Sequence, residues 1–236
     1  MYEFKPLYQQ VDGGFGVIGD AFKEAADRLS KSSEESAFFH SDLPICYLYR
    51  HAIELFLKSG IVVIHRRLQI PYDPQGRESA PGFRVGKKWN PIESIHSVGD
   101  LYAYFKTLFV DHGKTLNTLG RVDWTSPVPE LDEWIDIIER SDRKSTFFRY
   151  PTLKQPSTDK IKADFQETSP EALLAWAKSS GRYIKPYIEE APNDQSTRIY
   201  FYEGAHLDEL KGALRKAADM LSGIHFGIRM EIAGGQ

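Results

Sequence analysis

The chain has 236 residues, of which 41% are hydrophobic and 27% charged, and its formal net charge is −3. These values are typical of a globular protein with one large domain or two small ones, and they exclude a surface that is basic overall. Any nucleic-acid site must therefore be a local patch. The single cysteine, Cys46, excludes a disulfide framework or a multi-cysteine zinc site within one chain and is expected in the core.

The N-terminal sequence MYEFKPLYQQ lacks the basic-then-apolar pattern of a signal peptide. The longest apolar stretch, residues 43–64, is interrupted by charged side chains and is a poor candidate for a membrane span. We therefore expect a cytoplasmic protein that does not contact a membrane. No internal repeat divides residues 1–236, which we interpret as a single helical domain.

The first helix is predicted at residues 21–31, with Asp20 as its N-cap, after an irregular lead-in over residues 1–19. Within the lead-in, GFGVIG (14–19) has the glycine spacing of a dinucleotide-binding turn. No strand-like segment precedes it, so the context that such a turn requires is missing. We interpret this stretch as a flexible connection.

A long central helix is predicted to open at Ser41 or Asp42, with Pro44 in its first turn, and to run to about Ile70. Apolar residues cover most of its circumference, which is typical of a buried helix.

Two long inserted loops are predicted, at residues 71–96 and 144–168, because both contain clustered turn residues. In the first loop, FRVGKKW (83–89) indicates a small hairpin. Loops of this length are unusual in a compact domain and are often functional.

Further helices are predicted from Ser94 or Ser97, from Pro129 and from Ser169–Pro170, since each start signal precedes apolar residues at helical spacing.

The best strand candidate is RIYFYE (198–203), followed by a helix at about 206–222 and a tail at 223–236. Helices and strands do not alternate, so a parallel sheet is not expected. The sequence therefore predicts a mainly α fold with long loops and a small β element.

Ionisable residues of the central helix fall on one side of it. On a helical wheel, Arg50, His51, Glu54 and Lys58 lie with Tyr47 within about a third of the circle. The pattern fits a solvated stripe of i,i+4 ion pairs, each worth about 0.3–0.5 kcal/mol. It also fits a polar seam that binds a ligand, because arginine and lysine suit phosphate or carboxylate and histidine can transfer protons near neutral pH.

Three segments together resemble a known family. YLYRHAIELFLK (47–58), HSVGDL (96–101) and FRYP (148–151) resemble bacterial helical proteins of the HEPN superfamily, and the resemblance covers roughly residues 38–155. It implies a bundle of four or five helices, often dimeric, in antiviral defence, toxin–antitoxin or stress-response settings. Many members are metal-independent ribonucleases with an arginine followed, four to six residues later, by a histidine. Here Arg50 and His51 are adjacent instead.

The resemblance implies an RNA or nucleotide ligand and a set of candidate residues. Catalysis would involve His51 or His96 as acid or base, together with Arg50. The candidates for holding phosphate or another ligand group are Lys58, Glu54, Tyr47, Arg149 and Tyr150. Two of the candidate residues also have a structural interpretation: His96 as a cap or surface residue, and Arg149 as an anchor that ties its loop to Glu54.

The hairpin supplies a separate basic candidate. Lys87, Lys88 and Trp89 place two charges beside an aromatic ring, which suits contact with single-stranded nucleic acid or an ordinary solvated turn. The seven histidines lack metal-binding spacing, and no serine or cysteine lies in a nucleophile motif. No metal and no cofactor is therefore expected.

Two hypotheses for function remain open. In the first, the polar seam binds RNA or a nucleotide and, if the protein is an enzyme, acts as a metal-independent endoribonuclease. In the second, the seam is an internal salt-bridge network, and the protein is a non-catalytic module for dimerisation or for docking a partner protein. A homodimer is expected in either case. An open pocket over the seam would favour the first hypothesis, and a sealed seam the second.

Overall fold

Helices make up most of the structure, a computed structural model. The described residues are 5–35, 41–125, 128–154, 156–162, 165–180, 186–190, 197–202 and 207–235. The helices are α1 (Phe15–Glu35), α2 (Asp42–Leu68), α3 (Val98–Leu119), α4 (Pro129–Asp142), α5 (Pro156–Lys162), α6 (Pro170–Ser180) and α7 (Asp208–Gly227). The prediction of a mainly α fold with a small β element is confirmed.

The strands form two small antiparallel sheets. The first is the predicted hairpin of β1 (Gly82–Val85) and β2 (Lys88–Pro91). The second contains β3 (Phe165–Thr168), β4 (Pro186–Glu190) and β5 (Thr197–Tyr202) in the order β3-β5-β4. Helix α6 packs on this second sheet through Trp176, whose ring lies 5.6 Å from that of Phe201.

Helix α2 forms the centre of the fold. Every residue from Ala52 to His65 is buried, and α1, α3 and α7 all pack against this helix. Helix α4 completes the bundle by packing on α3 and α7. Apolar side chains on nearly all sides of α2 explain this position, since a helix that is hydrophobic all round needs neighbours all round.

Helix α1 begins earlier than predicted. The buried carboxylate of Asp12 accepts hydrogen bonds from the backbone N–H groups of Gly14 and Gly16, both at 2.8 Å, and so caps the first turn. The predicted irregular lead-in is therefore wrong for residues 15–19, and Asp20 lies inside the helix rather than at its N-cap. Since a carboxylate of the chain already occupies this helix end, the glycines do not cradle a phosphate.

Glycine allows the helices to approach one another closely at two positions. A Cβ at Gly19 of α1 would lie 3.0 Å from the Phe56 ring, and one at Gly60 of α2 would lie 2.6 Å from the Phe105 ring of α3. Both glycines therefore serve packing around α2.

Most of the other predicted helix starts agree with the structure. Helix α2 begins at Asp42, α4 at Pro129 and α6 at Pro170. Of the two candidates for α3, Ser97 is the N-cap, and its hydroxyl accepts from the Asp100 N–H at 3.0 Å. The strand predicted at 198–203 corresponds to β5, although Glu203 falls outside the described residues.

Two predicted irregular segments contain regular structure. The loop predicted at 144–168 includes α5 and β3, and the tail predicted at 223–236 includes the end of α7 and a π-helical segment, Ile228–Ile232. The last helix continues past residue 222 because its apolar side still has a core to pack against. Leu221, His225, Ile228 and Ile232 are all buried. This packing outweighs the low helix propensity of Gly223.

Candidate functional site

Three donors converge on Glu54 in the middle of α2. Its side chain is 1% exposed and accepts from Lys58 Nζ at 2.8 Å, Arg50 Nη1 at 3.2 Å and His96 Nδ1 at 3.0 Å. Because an ionised carboxylate only accepts, the His96 ring donates through Nδ1. Burial opposes ionisation of Glu54, but the Lys58 ammonium, the hydrogen bonds and the Arg50 guanidinium outweigh it, and the pKa of Glu54 lies below its ordinary value.

Arg50 joins α2 to the end of α4. Its Nε lies 2.9 Å from Asp142 Oδ2, and its Nη2 donates to the backbone carbonyl of His96 at 2.6 Å. Asp142 is buried as well, and its Oδ1 accepts from the backbone N–H groups of Thr146 and Phe147 at 2.7 and 2.8 Å. One guanidinium therefore holds together the centre of α2, the start of α3 and the segment after α4.

These contacts form a closed, charge-balanced cluster, which we call the buried ion network: Arg50, Glu54, Lys58, His96 and Asp142. Arg50 and Lys58 balance Glu54 and Asp142, and all four side chains are at most 3% exposed. Lys58 is covered further by Phe15, whose ring centroid lies 6.0 Å from Nζ. His96 is the member of the network that reaches the surface, and its side chain is 46% exposed. The network lacks the exposed cations that a phosphate ligand needs.

His51 lies outside this network. It is half-buried between aromatic rings, edge-on to Phe22 at 4.4 Å and stacked on Tyr47 at 5.9 Å. Burial lowers the pKa of His51, and the opposing effect of Glu54 is offset by Lys58, Arg149 and Arg50. The adjacent candidates Arg50 and His51 therefore point into different environments.

The segment after α4 is not anchored by Arg149, which the sequence suggested as a possible tie to Glu54. Arg149 is exposed, and Tyr150 is 54% exposed, whereas Phe147 and Phe148 are buried. The anchor is Asp142, through Arg50 and two backbone amides, rather than a contact between Arg149 and Glu54. Arg149 is left at the surface, close enough to influence the His51 pKa.

The hairpin exposes its lysines but not its tryptophan. Lys87 and Lys88 are exposed next to the turn residue Gly86, whose φ of 62° favours glycine. The Trp89 ring packs over Gly82, where a Cβ would lie only 2.4 Å from it. Trp89 therefore stabilises the hairpin, and stacking of a base on its full face would require the ring to leave this position.

A second buried polar cluster was not predicted from the sequence. The Ser59 hydroxyl lies 2.7 Å from Asp12 Oδ2 and 3.0 Å from His225 Nδ1. It donates to the carboxylate, so His225 Nδ1 must donate to Ser59. Ser59 is fully buried and its proton is directed away from the histidine, which is the reverse of the arrangement in a serine nucleophile. Residues from three distant segments meet here, so no spacing could reveal the cluster.

Apolar side chains are exposed around Trp124, on a surface that we call the Trp124 face. It has two adjoining grooves of about 230 and 570 Å3, and both are lined by Val122, Trp124 and Ile224. Two side chains of its lining are exposed apolar residues: Val110 of α3 (83%), in the smaller groove, and Val122 of the following loop (47%), in both. The sequence did not reveal this face because its residues come from α3, the following loop, α4 and α7.

None of the described helices is long and apolar enough to cross a membrane. Among the described residues, no group of three or more histidine, cysteine, aspartate or glutamate side chains is placed to hold a metal ion. Comparisons with protein-family models, curated proteins and solved structures found no match to this chain.

Proposed function

We propose that this protein is a helical interaction module that forms a homodimer through the Trp124 face, with the buried ion network as a structural element. The observation that carries the proposal is the exposure of large apolar side chains beside two grooves. Apolar patches of this kind, rimmed by charged residues, are typical of protein-binding surfaces.

The ion network supports a non-catalytic interpretation of the polar seam. Its four ionic side chains are covered and form ion pairs with one another, so the network presents no exposed arginine or lysine to a substrate. Buried networks of this kind fix the relative positions of the elements that they join. Here they join α2, the start of α3 and the end of α4.

A second copy of the chain fits the Trp124 face better than an unrelated partner, because the face contains both halves of a contact. Val110 projects from α3 beside the smaller groove, which is also lined by Val122, Trp124 and Ile224. A two-fold axis through this region would place the projecting side chain of each copy in the groove of the other. Lys106 and Asp132 also line that groove, so its charges are self-complementary.

The proposal is tested by the mass of the protein in solution, measured by light scattering across a concentration series. Wild type is expected to dimerise, and Val110→Glu to be monomeric because it would bury a charge in an apolar contact. The control is Leu174→Glu, which places the same charge at an exposed apolar residue of α6. A monomeric wild type, or a Val110→Glu variant that still dimerises, would contradict the proposal.

The fold itself is proposed to be a HEPN-like bundle. Two of the segments that carry the resemblance are in contact, through Arg50 and Glu54 with His96. Arg149 of the third segment lies close enough to His51 to influence its pKa. A role in defence, toxin–antitoxin systems or stress response is proposed only on the basis of this HEPN-like fold.

A second candidate function is RNA or nucleotide binding at the outer edge of the network. It is supported by the partial exposure of His96 and by the exposed Arg149 near His51. Incubation of a mixed RNA pool with wild type, His51→Ala and Arg149→Ala in the presence of a chelator tests it. If the network is purely structural, wild type leaves the RNA intact. Cleavage that both substitutions abolish would instead establish a metal-independent nuclease.

A further inference from the structure

The loop that follows α3 carries two residues of the Trp124 face. Residues 120–125 form neither helix nor strand. Val122 and Trp124 from this loop line both grooves. Backbone N–H groups outside helices and strands need other acceptors, which side chains can supply. The positions of Val122 and Trp124 therefore depend on the side chains that hold the loop.

The second half of the loop is held by neighbouring residues. Asn117, near the end of α3, accepts a hydrogen bond from the Trp124 N–H at 2.7 Å and donates to Asp123 Oδ1 at 3.0 Å. The same oxygen of Asp123 accepts from the Thr125 N–H at 2.9 Å. The Trp124 ring stacks on Phe109 of α3, with the ring centroids 5.8 Å apart. These contacts tie Trp124 to α3.

The first half of the loop is held by Glu231, a residue distant in sequence. Its Oε2 accepts hydrogen bonds from the backbone N–H groups of Arg121 at 2.9 Å and Val122 at 3.0 Å. Gly120 permits this approach, because a Cβ there would lie 2.4 Å from the same oxygen. Hydrogen bonds to an ionised carboxylate are roughly twice as strong as those between neutral groups. Glu231 therefore fixes the backbone at Val122.

Glu231 belongs to the π-helical segment Ile228–Ile232, which follows α7. The Ala233 N–H donates to the Ile228 carbonyl at 3.0 Å, the hydrogen bond characteristic of a π-helix. Ile228 and Ile232 are fully buried, so the core holds this segment in place. Glu231 is thus a fixed point against which the loop is positioned.

We propose that Glu231 is a positioning residue for the Trp124 face and, by fixing Val122, sets how tightly two copies of the chain associate. This inference rests on the proposed homodimer. Because Val122 lines both grooves, a shift of its backbone changes the shape of each. A two-fold dimer contains the Glu231 contact twice, so its loss weakens the interface from both sides.

The dissociation constant of the dimer, measured by analytical ultracentrifugation, tests the inference. Glu231→Ala removes the acceptor of two N–H groups and is expected to weaken dimerisation by at least about tenfold. Glu231→Gln keeps an oxygen that can accept both bonds, so its dissociation constant is expected to stay within about threefold of wild type. Glu24→Ala, at an exposed glutamate of α1, is the control and should dimerise like wild type. A Glu231→Gln dimer as weak as that of Glu231→Ala would overturn the assignment to these hydrogen bonds.

A second variant displaces Glu231 without replacing it. The Cβ of Gly120→Ala would occupy the position of the Glu231 carboxylate, so this variant is also expected to weaken dimerisation by at least about tenfold. Its matched control is Gly212→Ala, where a Cβ has nothing within 4 Å. A folded Glu231→Ala or Gly120→Ala variant that dimerises like wild type would overturn the inference and leave the proposed homodimer intact. A wild type that stays monomeric would overturn both.

Discussion

At the scale of single residues, Glu54 is the centre of the buried ion network. It is the common acceptor for Lys58, Arg50 and His96, and it is almost completely removed from solvent. Removing its charge would leave two buried cations to share the carboxylate of Asp142. Breaking a buried ion pair in this way is far costlier than breaking an exposed one.

We expect Glu54→Gln to lower the free energy of unfolding by roughly 3–5 kcal/mol. Urea denaturation followed by circular dichroism measures the loss. The matched control is Glu24→Gln, which removes the carboxylate of an exposed i,i+4 pair with Arg28 and should cost less than about 1 kcal/mol. Equal losses in the two variants would show that the network does not stabilise the fold.

Charge balance within the network leads to a second prediction. The double substitution Glu54→Leu with Lys58→Met removes one charge of each sign and leaves Arg50 paired with Asp142. It should be more stable than Glu54→Leu alone, by about 1–3 kcal/mol, because the single change leaves Lys58 buried without its carboxylate. A double-mutant cycle of denaturation free energies measures this coupling, and additive losses would contradict it.

At the scale of secondary-structure elements, glycines decide how closely α1 can approach its neighbours. Gly16 lies in the first turn of α1, where the ring of His225 occupies the space that a side chain would need. The glycine spacing that resembles a nucleotide-binding turn thus has a packing explanation. In contrast, Gly212 of α7 faces open space, with nothing within 4 Å of a Cβ built there.

Gly16→Ala is therefore expected to destabilise the protein by about 1–3 kcal/mol, as overpacking of a filled core does. Gly212→Ala should be neutral or stabilising by up to about 1 kcal/mol, because alanine favours helix and meets no neighbour. Thermal unfolding of both variants beside wild type provides the comparison. A stable Gly16→Ala variant would indicate that His225 can move without cost and would weaken the account of the Asp12–Ser59–His225 cluster.

At the scale of the whole molecule, buried histidines link stability to pH. Burial lowers the pKa of His51, His65 and His225 from an ordinary value of 6.5. Below that value the unfolded chain binds protons that the folded chain does not, so acidification favours unfolding. The stabilisation is complete above pH 6.5 and is lost as the pH falls towards the folded pKa values. Below pH 4.5, protonation of Glu54, whose pKa is also lowered, adds a second loss.

We predict that the unfolding free energy decreases between about pH 7.5 and about pH 5.5, and that His225→Gln flattens part of this decrease. Urea titrations at several pH values test the slope. Glu139 acts in the opposite sense, because burial raises its pKa from 4.5, so its protonation in the folded state offsets part of the decrease at the acidic end of this range. A stability that stays constant or rises on acidification would contradict the prediction.

Local signals made much of the helical framework predictable. Proline and serine mark the starts of α3, α4 and α6, and the near-continuous apolar surface of α2 predicted its central position. The start of α1 and the end of α7 were mispredicted because contacts distant in sequence decide them. Asp12 caps α1 while bonded to Ser59, and α7 continues past Gly223 because Ile228 and Ile232 are buried.

The sequence by itself determined which side of α2 carries charge, because helical periodicity places Arg50, Glu54 and Lys58 together wherever the helix lies. Whether that side faces solvent or the core was decided by the tertiary structure, through His96 and Asp142, which lie far away in the chain. The same holds for the Trp124 face. Its residues come from separate elements, and only the packing of those elements brings them together.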